Sequence, residues 1–314
     1  MRTILEHRLA SIPVMTAIVL VLPLLFPSGY YYRVAALVFV FALAAIGLNL
    51  LMGLAGQVSL GHAGFMGIGA YAVAIGPAHL GVPSWLSLIM GAALSALVAH
   101  LVGRPILRLK GHYLAVATLG FGLLLAIVFN NEAGLTGGPD GMPVPRLVLF
   151  AWPLRGPDTW YWITAGSFLI GATLALNLIE SPTGRALRAI HDSEVAARTL
   201  GVDVARKKLA IFVVSAVYAS VAGSYFALLN GHITPDISGF LRSIELVAMV
   251  VLGGMGSIAG SLVGATLLVV LPQTLTALHD YEHMVLGLIV MAVMIFLRAG
   301  IVPTLTNALA ARRA

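Results

Sequence analysis

Long apolar stretches follow one another along this chain, with short polar connections between them. The runs Val34–Leu54, Leu209–Leu229 and Met284–Leu297 contain no charged side chain. A helix that crosses a bilayer needs about 20 mostly apolar residues, whereas a barrel strand alternates apolar and polar positions over about ten. The unbroken runs therefore predict an all-α polytopic integral membrane protein. The length rule gives about ten spans, at residues 12–27, 34–54, 58–76, 84–102, 112–130, 160–179, 209–229, 243–254, 261–278 and 284–298.

The composition agrees with this pattern and excludes several classes of protein. Hydrophobic residues make up 60% of the chain, charged residues only 10%, and mean hydropathy is +0.99. A soluble domain carries about 25% charged residues and would aggregate with so much apolar surface. The chain has no cysteine, which excludes thiolate chemistry. We expect contact with membrane lipid and no nucleic acid, metal, cofactor or catalytic site.

Lys and Arg side chains predict the orientation of the spans, because short cytoplasmic loops are rich in them. They concentrate in Arg104–Lys110, in Glu180–Lys208 and in a C-terminal group with Arg298, Arg312 and Arg313. Placing these segments inside also puts both termini in the cytoplasm. The connections Asn131–Thr159 and His279–His283 then lie outside.

The N-terminal region resembles a signal peptide, because Arg2 and Arg8 precede the apolar stretch Ile12–Phe26. No small-residue cleavage site follows it, and further spans come directly after. We therefore expect an uncleaved first span. The whole chain, residues 1–314, is expected to form a single transmembrane domain with a cytoplasmic loop at about residues 180–208.

Two glycine-rich stretches, Gly53–Gly64 and Gly253–Gly264, resemble each other faintly. Glycine at such spacing allows helices to pack closely, which is the favoured interpretation. Interrupted apolar segments in the two halves of a transporter also occur beside a translocation path. Residues 243–278 therefore form either two full spans or a broken, re-entrant pair.

The cytoplasmic loop is predicted to hold two short helices. Ser181 and Pro182 are typical of a helix start, and Asp192 is the expected cap of a second helix with Glu194 in its first turn. Gly201 is expected to end that helix. The residues alone leave two interpretations equally open, namely a partner-binding surface, with small residues between charges, and an ordinary basic loop.

The pattern of this loop is similar to the coupling loop of ABC importer permeases. In that loop, a pair of alanines is followed by three further residues and then by a glycine. Ala196, Ala197 and Gly201 match that spacing, whereas Glu194 is displaced by one position. Five further motifs resemble the LivM-type permeases of branched-chain amino acid ABC importers, in order from about residue 35 to residue 300: Gly47–Gly53, Gly56–Tyr71, Leu109–Gly122, Leu135–Gly141 and Gly253–Ser257.

The resemblance implies several partners. They are separate ABC ATPase subunits, a homologous second permease in a heterodimer, and a periplasmic or lipid-anchored substrate-binding protein. It also implies the bacterial inner membrane. The loop residues that match or flank the coupling pattern are Arg188, Asp192, Glu194, Ala196, Ala197 and Gly201. Leu123 and Ala126 depart from the family, since many relatives carry an acidic and a basic residue there.

Polar residues inside the predicted spans are candidates for a translocation path. They are Asn49, Gln57, Ser59 and His62. For His62, a hydrogen bond between helices is the favoured interpretation, and a path role is the alternative. Glu245 is expected to pair with Arg242, three positions earlier.

The outer connection contains the turn sequence Thr136, Gly137, Gly138, Pro139, Asp140. A tight turn is the favoured interpretation, and a docking loop for the binding protein, with Thr136, Gly137, Gly138 and Asp140, is the alternative.

The leading functional hypothesis is an ABC permease for branched-chain amino acids. Urea or short amides are alternative substrates, because related permeases share the pattern. An ion-coupled transporter would need carboxylates inside the spans, which are nearly absent. A membrane enzyme would need a polar cluster, and the group His279, Asp280, Glu282, His283 is better explained as a solvated turn.

Overall fold

The computed structural model describes residues 11–109, 111–149, 152–154, 156–274, 282–297 and 299–311. The described chain is helical almost throughout, which confirms the all-α prediction. Lys110, Arg155, Arg298, Arg312 and Arg313 lie outside the described residues. The same is true of Arg2, Arg8, His279 and Asp280.

The helices of the described residues are labelled in chain order. They are α1 (Ser11–Val21), α2 (Gly29–Asn49), α3 (His62–His79), α4 (Ser84–Ile106), α5 (His112–Asn131), α6 (Ala133–Thr136), α7 (Pro157–Glu180), α8 (Pro182–Asp192), α9 (Glu194–Thr199), α10 (Val204–Asn230), α11 (Phe240–Gly253), α12 (Ile258–Thr274), α13 (Glu282–Phe296) and α14 (Ile301–Ala311). Short 3₁₀ turns follow at Leu22–Leu25, Gly138–Asp140 and Pro235–Ser238.

Within the described residues, four two-residue strands lie in the connections between the helices. Strand β1 (Met142–Pro143) pairs antiparallel with β4 (His232–Ile233), and Met142 faces Ile233. Strand β2 (Val148–Leu149) pairs antiparallel with β3 (Trp152–Pro153). The first pair joins the connection after α5 to the end of α10, so both lie at one end of the helix bundle.

Five described helices are long and apolar enough to cross a membrane. They are α2 with its π-helical extension to Leu54, α4, α5, α7 and α10. The protein is therefore polytopic. The remaining predicted spans correspond to shorter helices, such as the apolar segments Ile12–Leu25 and Ile258–Gln273.

Helix α2 is the centre of the bundle. Its apolar window is 83% buried, against 28% for α4 and 22% for α5. It contacts α7, α10, α11 and α12. The exposed apolar side chains of α4 and α5, including Leu97, Leu101, Leu124 and Ile127, form a surface suited to lipid or to another membrane subunit.

The end of α2 is irregular, and this corrects the predicted span 58–76. The helix widens into a π turn at Leu50–Leu54, and Gly56 then takes a left-handed conformation with φ of +64°. Residues 57–60 are not helical, and helix α3 begins at His62, four residues after the predicted start of the span. Such breaks at membrane depth require protein partners for the freed backbone groups.

The described part of residues 243–278 lies in two helices, α11 and α12, which pack against each other. Helix α11 has 14 residues, and at 1.5 Å per residue it reaches about 21 Å, less than the roughly 30 Å of a bilayer core. The connection at Gly254–Ser257 contains two glycines with positive φ. The described part of this region therefore fits the broken pair.

Close approach of α3 and α10 depends on small residues. A Cβ added to Gly223 would lie 2.0 Å from the carbonyl oxygen of Met66, and one added to Gly69 would lie 1.9 Å from that of Ser220. The Ser224 hydroxyl donates to the Gly69 carbonyl oxygen at 2.9 Å. The two helices therefore pack backbone against backbone, as small-xxx-small motifs allow.

We predict that Gly223→Ala lowers the thermal stability of the protein in detergent, because the new methyl group forces α3 and α10 apart. Overpacking of this kind costs about 1–3 kcal/mol. Gly120→Ala is the matched control, since a Cβ there meets nothing within 4 Å. Equal melting temperatures for the two variants, measured by intrinsic fluorescence, would contradict the close packing.

Candidate functional site

The segment between α7 and α10 folds into the two predicted short helices. The Ser181 hydroxyl caps α8 by accepting from the Gly184 N–H at 3.2 Å. The cap of α9 is Ser193, which accepts from the Ala196 N–H at 3.3 Å, and not Asp192 as predicted. Asp192 is instead the last residue of α8. Either residue type can cap, so the sequence could not separate two neighbouring candidates.

The local predictions for Glu194 and Gly201 hold. Glu194 lies in the first turn of α9. Gly201 ends that helix with φ of +81°, a conformation that favours glycine. Asp203 starts α10, because its side chain accepts from the Arg206 N–H at 3.0 Å.

Only one of the two alanines of the loop pattern, Ala196, lies on the exposed face of this segment. Ala197 is buried, as are Leu187 and Ile190 of α8, so these residues hold the segment against the membrane helices. Ala196, Arg198 and Gly201 are exposed, and Arg188 is half-buried. The most exposed apolar side chains are Val195, at 74%, and Leu200, at 81%. We call Val195, Ala196, Leu200 and Gly201 the coupling patch, after the loop pattern that this segment resembles.

An ion pair connects α9 to α10. The Glu194 carboxylate pairs with the ammonium group of Lys208, whose side chain is only 10% exposed. The sequence suggested Lys208 only as one of several basic loop residues. Its burial identifies a specific partner for Glu194, and a buried cation without a counter-charge would be strongly destabilising.

The two basic segments lie at one end of the bundle. A cavity of about 300 Å³ is lined by Leu109 and Gly111 from the connection after α4, together with His191 and Asp192 from the end of α8. The strands β1 and β4 lie beyond the opposite ends of the helices, beside Asn230 of α10. The two basic segments therefore share one end of the bundle, and the side of the membrane that this end faces stays a prediction.

Asn49 holds the two glycine-rich stretches together. Its side-chain nitrogen donates to the Ser257 carbonyl oxygen and to the Ser261 hydroxyl, both at 2.9 Å. Its side-chain oxygen accepts from the Gly256 N–H at 2.6 Å. A Cβ on Gly53 would lie 2.3 Å from the Gly256 nitrogen, so the two stretches are in contact. The faint repeat in the sequence therefore marks two chain breaks that pack on each other.

His62 is fully buried and hydrogen-bonded at both ring nitrogens. Nδ1 lies 2.9 Å from the Ser59 hydroxyl and Nε2 lies 2.5 Å from the Ser215 hydroxyl. Since Ser215 donates its own proton to the Gly47 carbonyl oxygen at 2.6 Å, Nε2 is the donor to Ser215 and Nδ1 accepts from Ser59. This is the interhelical hydrogen bond that the sequence favoured. The neutral ring has no lone pair left for a metal.

Gln57 is the exception among the polar residues of this region. It is 2% exposed, and neither its side-chain nitrogen nor its oxygen has a hydrogen-bond partner among the described residues. It also lines the 300 Å³ cavity. Its environment therefore differs from that of Asn49, Ser59 and His62, whose hydrogen bonds are made within the protein.

The turn at residues 136–140 is structural in its first three residues. The buried Thr136 hydroxyl donates to the Phe129 carbonyl oxygen at 2.6 Å and accepts from the Gly138 N–H at 3.2 Å. Gly137 and Gly138 have positive φ, as the tight-turn interpretation requires. Asp140 is exposed, and its backbone carbonyl accepts from His232 Nε2 at 3.0 Å.

Arg242 and Glu245 form the predicted pair on α11, at 2.5 Å between Nη1 and Oε2. The guanidinium group also lies over the rings of Phe41 and Phe226, at 5.2 Å and 5.8 Å from their centroids. These two cation–π contacts place the pair against α2 and α10, which the sequence did not indicate.

Comparison with known proteins decides the family. A family model described as branched-chain amino acid transport system / permease component matches residues 30–295. The chain belongs to this permease family.

The relatives of this permease include two proteins named high-affinity branched-chain amino acid transport system permease protein LivM. They come from Salmonella typhimurium and Escherichia coli K12, and each is 34% identical over 86% of this chain and 69% of its own length. The permease protein LivH of Salmonella typhimurium is 26% identical over 83% of this chain and 90% of its own length. No solved structure matches the permease.

We predict that Asn49→Leu destabilises the permease, because it leaves the Gly256 N–H and the Ser257 carbonyl without their partner at a buried break. Each unsatisfied group costs about 1–3 kcal/mol. Asn131→Leu, at the exposed end of α5, is the control. The monodisperse fraction on size-exclusion chromatography after heating should fall for Asn49→Leu alone, and an unchanged profile would refute the role of Asn49.

Proposed function

We propose that the permease forms the membrane path of a bacterial ABC importer for branched-chain amino acids. The observation that carries this proposal is the family match over residues 30–295, in a chain with five long apolar helices. The names of its relatives, LivM and LivH, include this substrate class. The family match disfavours the ion-coupled transporter and the membrane enzyme.

The proposed arrangement follows the distribution of charge. About ten segments enter the membrane, both termini face the cytoplasm, and the chain forms one domain in the inner membrane. The end of the bundle that carries α8 and α9 is cytoplasmic, and the end with Asp140 and strands β1 and β4 faces outward. A homologous second permease completes the path, and a periplasmic or lipid-anchored binding protein docks beside Asp140.

We assign ATP hydrolysis to separate subunits, because the 314 residues contain no Gly-x4-Gly-Lys-Ser/Thr motif. These subunits bind the coupling patch. Apolar side chains as exposed as Val195 and Leu200 form a suitable centre for a protein interface, and Arg198 lies at its rim. Movement of α9 then reaches α10 through the Glu194–Lys208 ion pair.

Among the four polar candidates for the path, we keep Gln57. Its carboxamide has no internal partner, whereas Asn49, Ser59 and His62 use their hydrogen-bonding groups to hold the helices together. A group that lacks a fixed partner is free to bind polar atoms of a passing molecule.

The substrate proposal predicts the outcome of uptake assays. In a strain without its own branched-chain amino acid importers, the complete importer containing this permease should restore uptake of leucine, isoleucine and valine. Urea and short amides at the same concentration should not compete. Competition by urea or an amide, with no uptake of leucine, would replace the substrate class by the alternative one.

The coupling proposal predicts that Leu200→Asp removes the ATPase subunit from the purified complex. A charge at the centre of an apolar contact should weaken binding by roughly tenfold or more. Ala205→Asp is the control, because Ala205 is also exposed at this end of the molecule but lies outside the coupling patch. Copurification of the ATPase with both variants in equal amounts would refute the assignment.

A further inference from the structure

The cavity of about 300 Å³ lies between the break after α2, the start of α5 and the junction of α8 with α9. Its polar lining includes Gln57, Glu194 and Lys208, and its apolar lining includes Leu109, Leu114 and Ile190. Small-molecule sites have volumes from about 300 Å³ upward and combine apolar walls with a few placed polar groups. The size and lining of this cavity therefore suit a small amphipathic molecule.

Gln57 indicates that this cavity takes up a polar molecule. Its side chain is almost completely buried, yet both its amide nitrogen and its amide oxygen lack partners among the described residues. A buried amide in this state destabilises the protein, because its groups have lost water without gaining other partners. A molecule with one hydrogen-bond donor and one acceptor would satisfy both atoms at once.

The charges around Gln57 define the molecule further. Lys208 offers a cation and Glu194 a carboxylate on the same wall. A simple anion would be repelled by the carboxylates of Asp192 and Glu194, and a simple cation would be repelled by Lys208. Neither kind of ion therefore complements the charges of the cavity. A zwitterion places its carboxylate near Lys208 and its ammonium group near Glu194. The aliphatic wall of Leu109, Leu114 and Ile190 suits an aliphatic side chain.

We propose that this cavity is a product site, where an aliphatic zwitterionic α-amino acid binds from the cytoplasm and slows import. The proposal rests on the proposed function, which supplies the substrate class and the coupling role of α9. The bound amino acid competes for the Glu194–Lys208 ion pair, which connects α9 to α10. Binding and coupling therefore oppose each other, and the effect is reciprocal.

Equilibrium binding tests the chemistry of the site. The experiment uses the purified complex of permeases and ATPases, without binding protein or nucleotide, and measures binding of radiolabelled L-leucine. Isocaproate lacks the ammonium group and isopentylamine lacks the carboxylate, so each should compete at least about tenfold more weakly, since a lost charge-assisted hydrogen bond costs about 1.5–3 kcal/mol. Competition by either compound as strong as that of L-leucine would overturn the proposal.

The same assay tests the location. Gln57→Leu should weaken L-leucine binding by roughly tenfold, because it removes the amide donor and the amide acceptor from the cavity wall while Lys208 and Glu194 remain. Gln273→Leu is the matched control, since Gln273 is exposed and hydrogen-bonded to the Tyr30 hydroxyl at 2.6 Å, far from the cavity. Equal affinities of Gln57→Leu and Gln273→Leu would place L-leucine elsewhere and overturn the proposal.

Transport tests the regulation. In proteoliposomes with the binding protein outside and ATP inside, L-leucine loaded inside should reduce the initial uptake rate severalfold. Leu109→Trp fills the cavity from a position that is 41% exposed, so it should remove this inhibition, and uptake by leucine-loaded vesicles of the variant should equal uptake by its own leucine-free vesicles. Leu109→Glu, which repels the carboxylate, provides a second variant if the bulky one folds poorly.

The outcomes separate the two proposals. Inhibition that persists in folded Leu109→Trp or Leu109→Glu would overturn the product site while leaving the importer assignment in place. Absence of ATP-driven uptake by the wild-type complex, with the ATPase bound, would instead count against the proposed function. Loss of inhibition in a variant that still imports leucine into leucine-free vesicles supports the product site.

Discussion

The fold depends on one constraint, that backbone groups inside a membrane must find hydrogen-bond partners within the protein. The chain breaks its helices at Gly56–Gly61 and at Gly254–Ser257, where this constraint is hardest to meet. The carboxamide of Asn49 satisfies groups on the second break while belonging to the helix that leads into the first. Because one side chain serves both regions, the two breaks are fixed relative to each other and to the centre of the bundle.

The hydrophobic pattern predicted the long helices well, since a spanning helix is a local property of about 20 residues. It predicted α2, α4, α5, α7 and α10 to within a few residues. It failed at the start of α3, because Val58, Ser59 and Leu60 were predicted as the beginning of the apolar span 58–76. Their conformation is set by contacts with distant residues, such as the Leu60 N–H donating to the Thr118 hydroxyl at 3.1 Å, which no local pattern contains.

The candidate sites were predictable to a smaller extent. The cap and glycine residues predicted the two short helices between α7 and α10, and the glycines at 137 and 138 predicted the tight turn. The exposed side of α9 was not predictable, because a six-residue helix gives too little periodicity to tell Ala197 from Val195. Nor was the Glu194–Lys208 pair, because its partners lie 14 positions apart across a turn. The missing hydrogen-bond partners of the Gln57 side chain were also not predictable, because they depend on residues that are distant in the sequence.

These features combine into one mechanical unit at the basic end of the bundle. The coupling patch lies on α9, and the Glu194–Lys208 pair fixes α9 to α10. Helix α10 in turn holds α3 by direct backbone contact at Gly223, with no flexible side chains in between. The ring of His191, at the end of α8, lies against Gly56, where a Cβ would be 3.5 Å from its Cγ. In the proposed cycle, a displacement of the coupling patch therefore acts on both ends of the break between α2 and α3, through α8 at Gly56 and through α10 at His62.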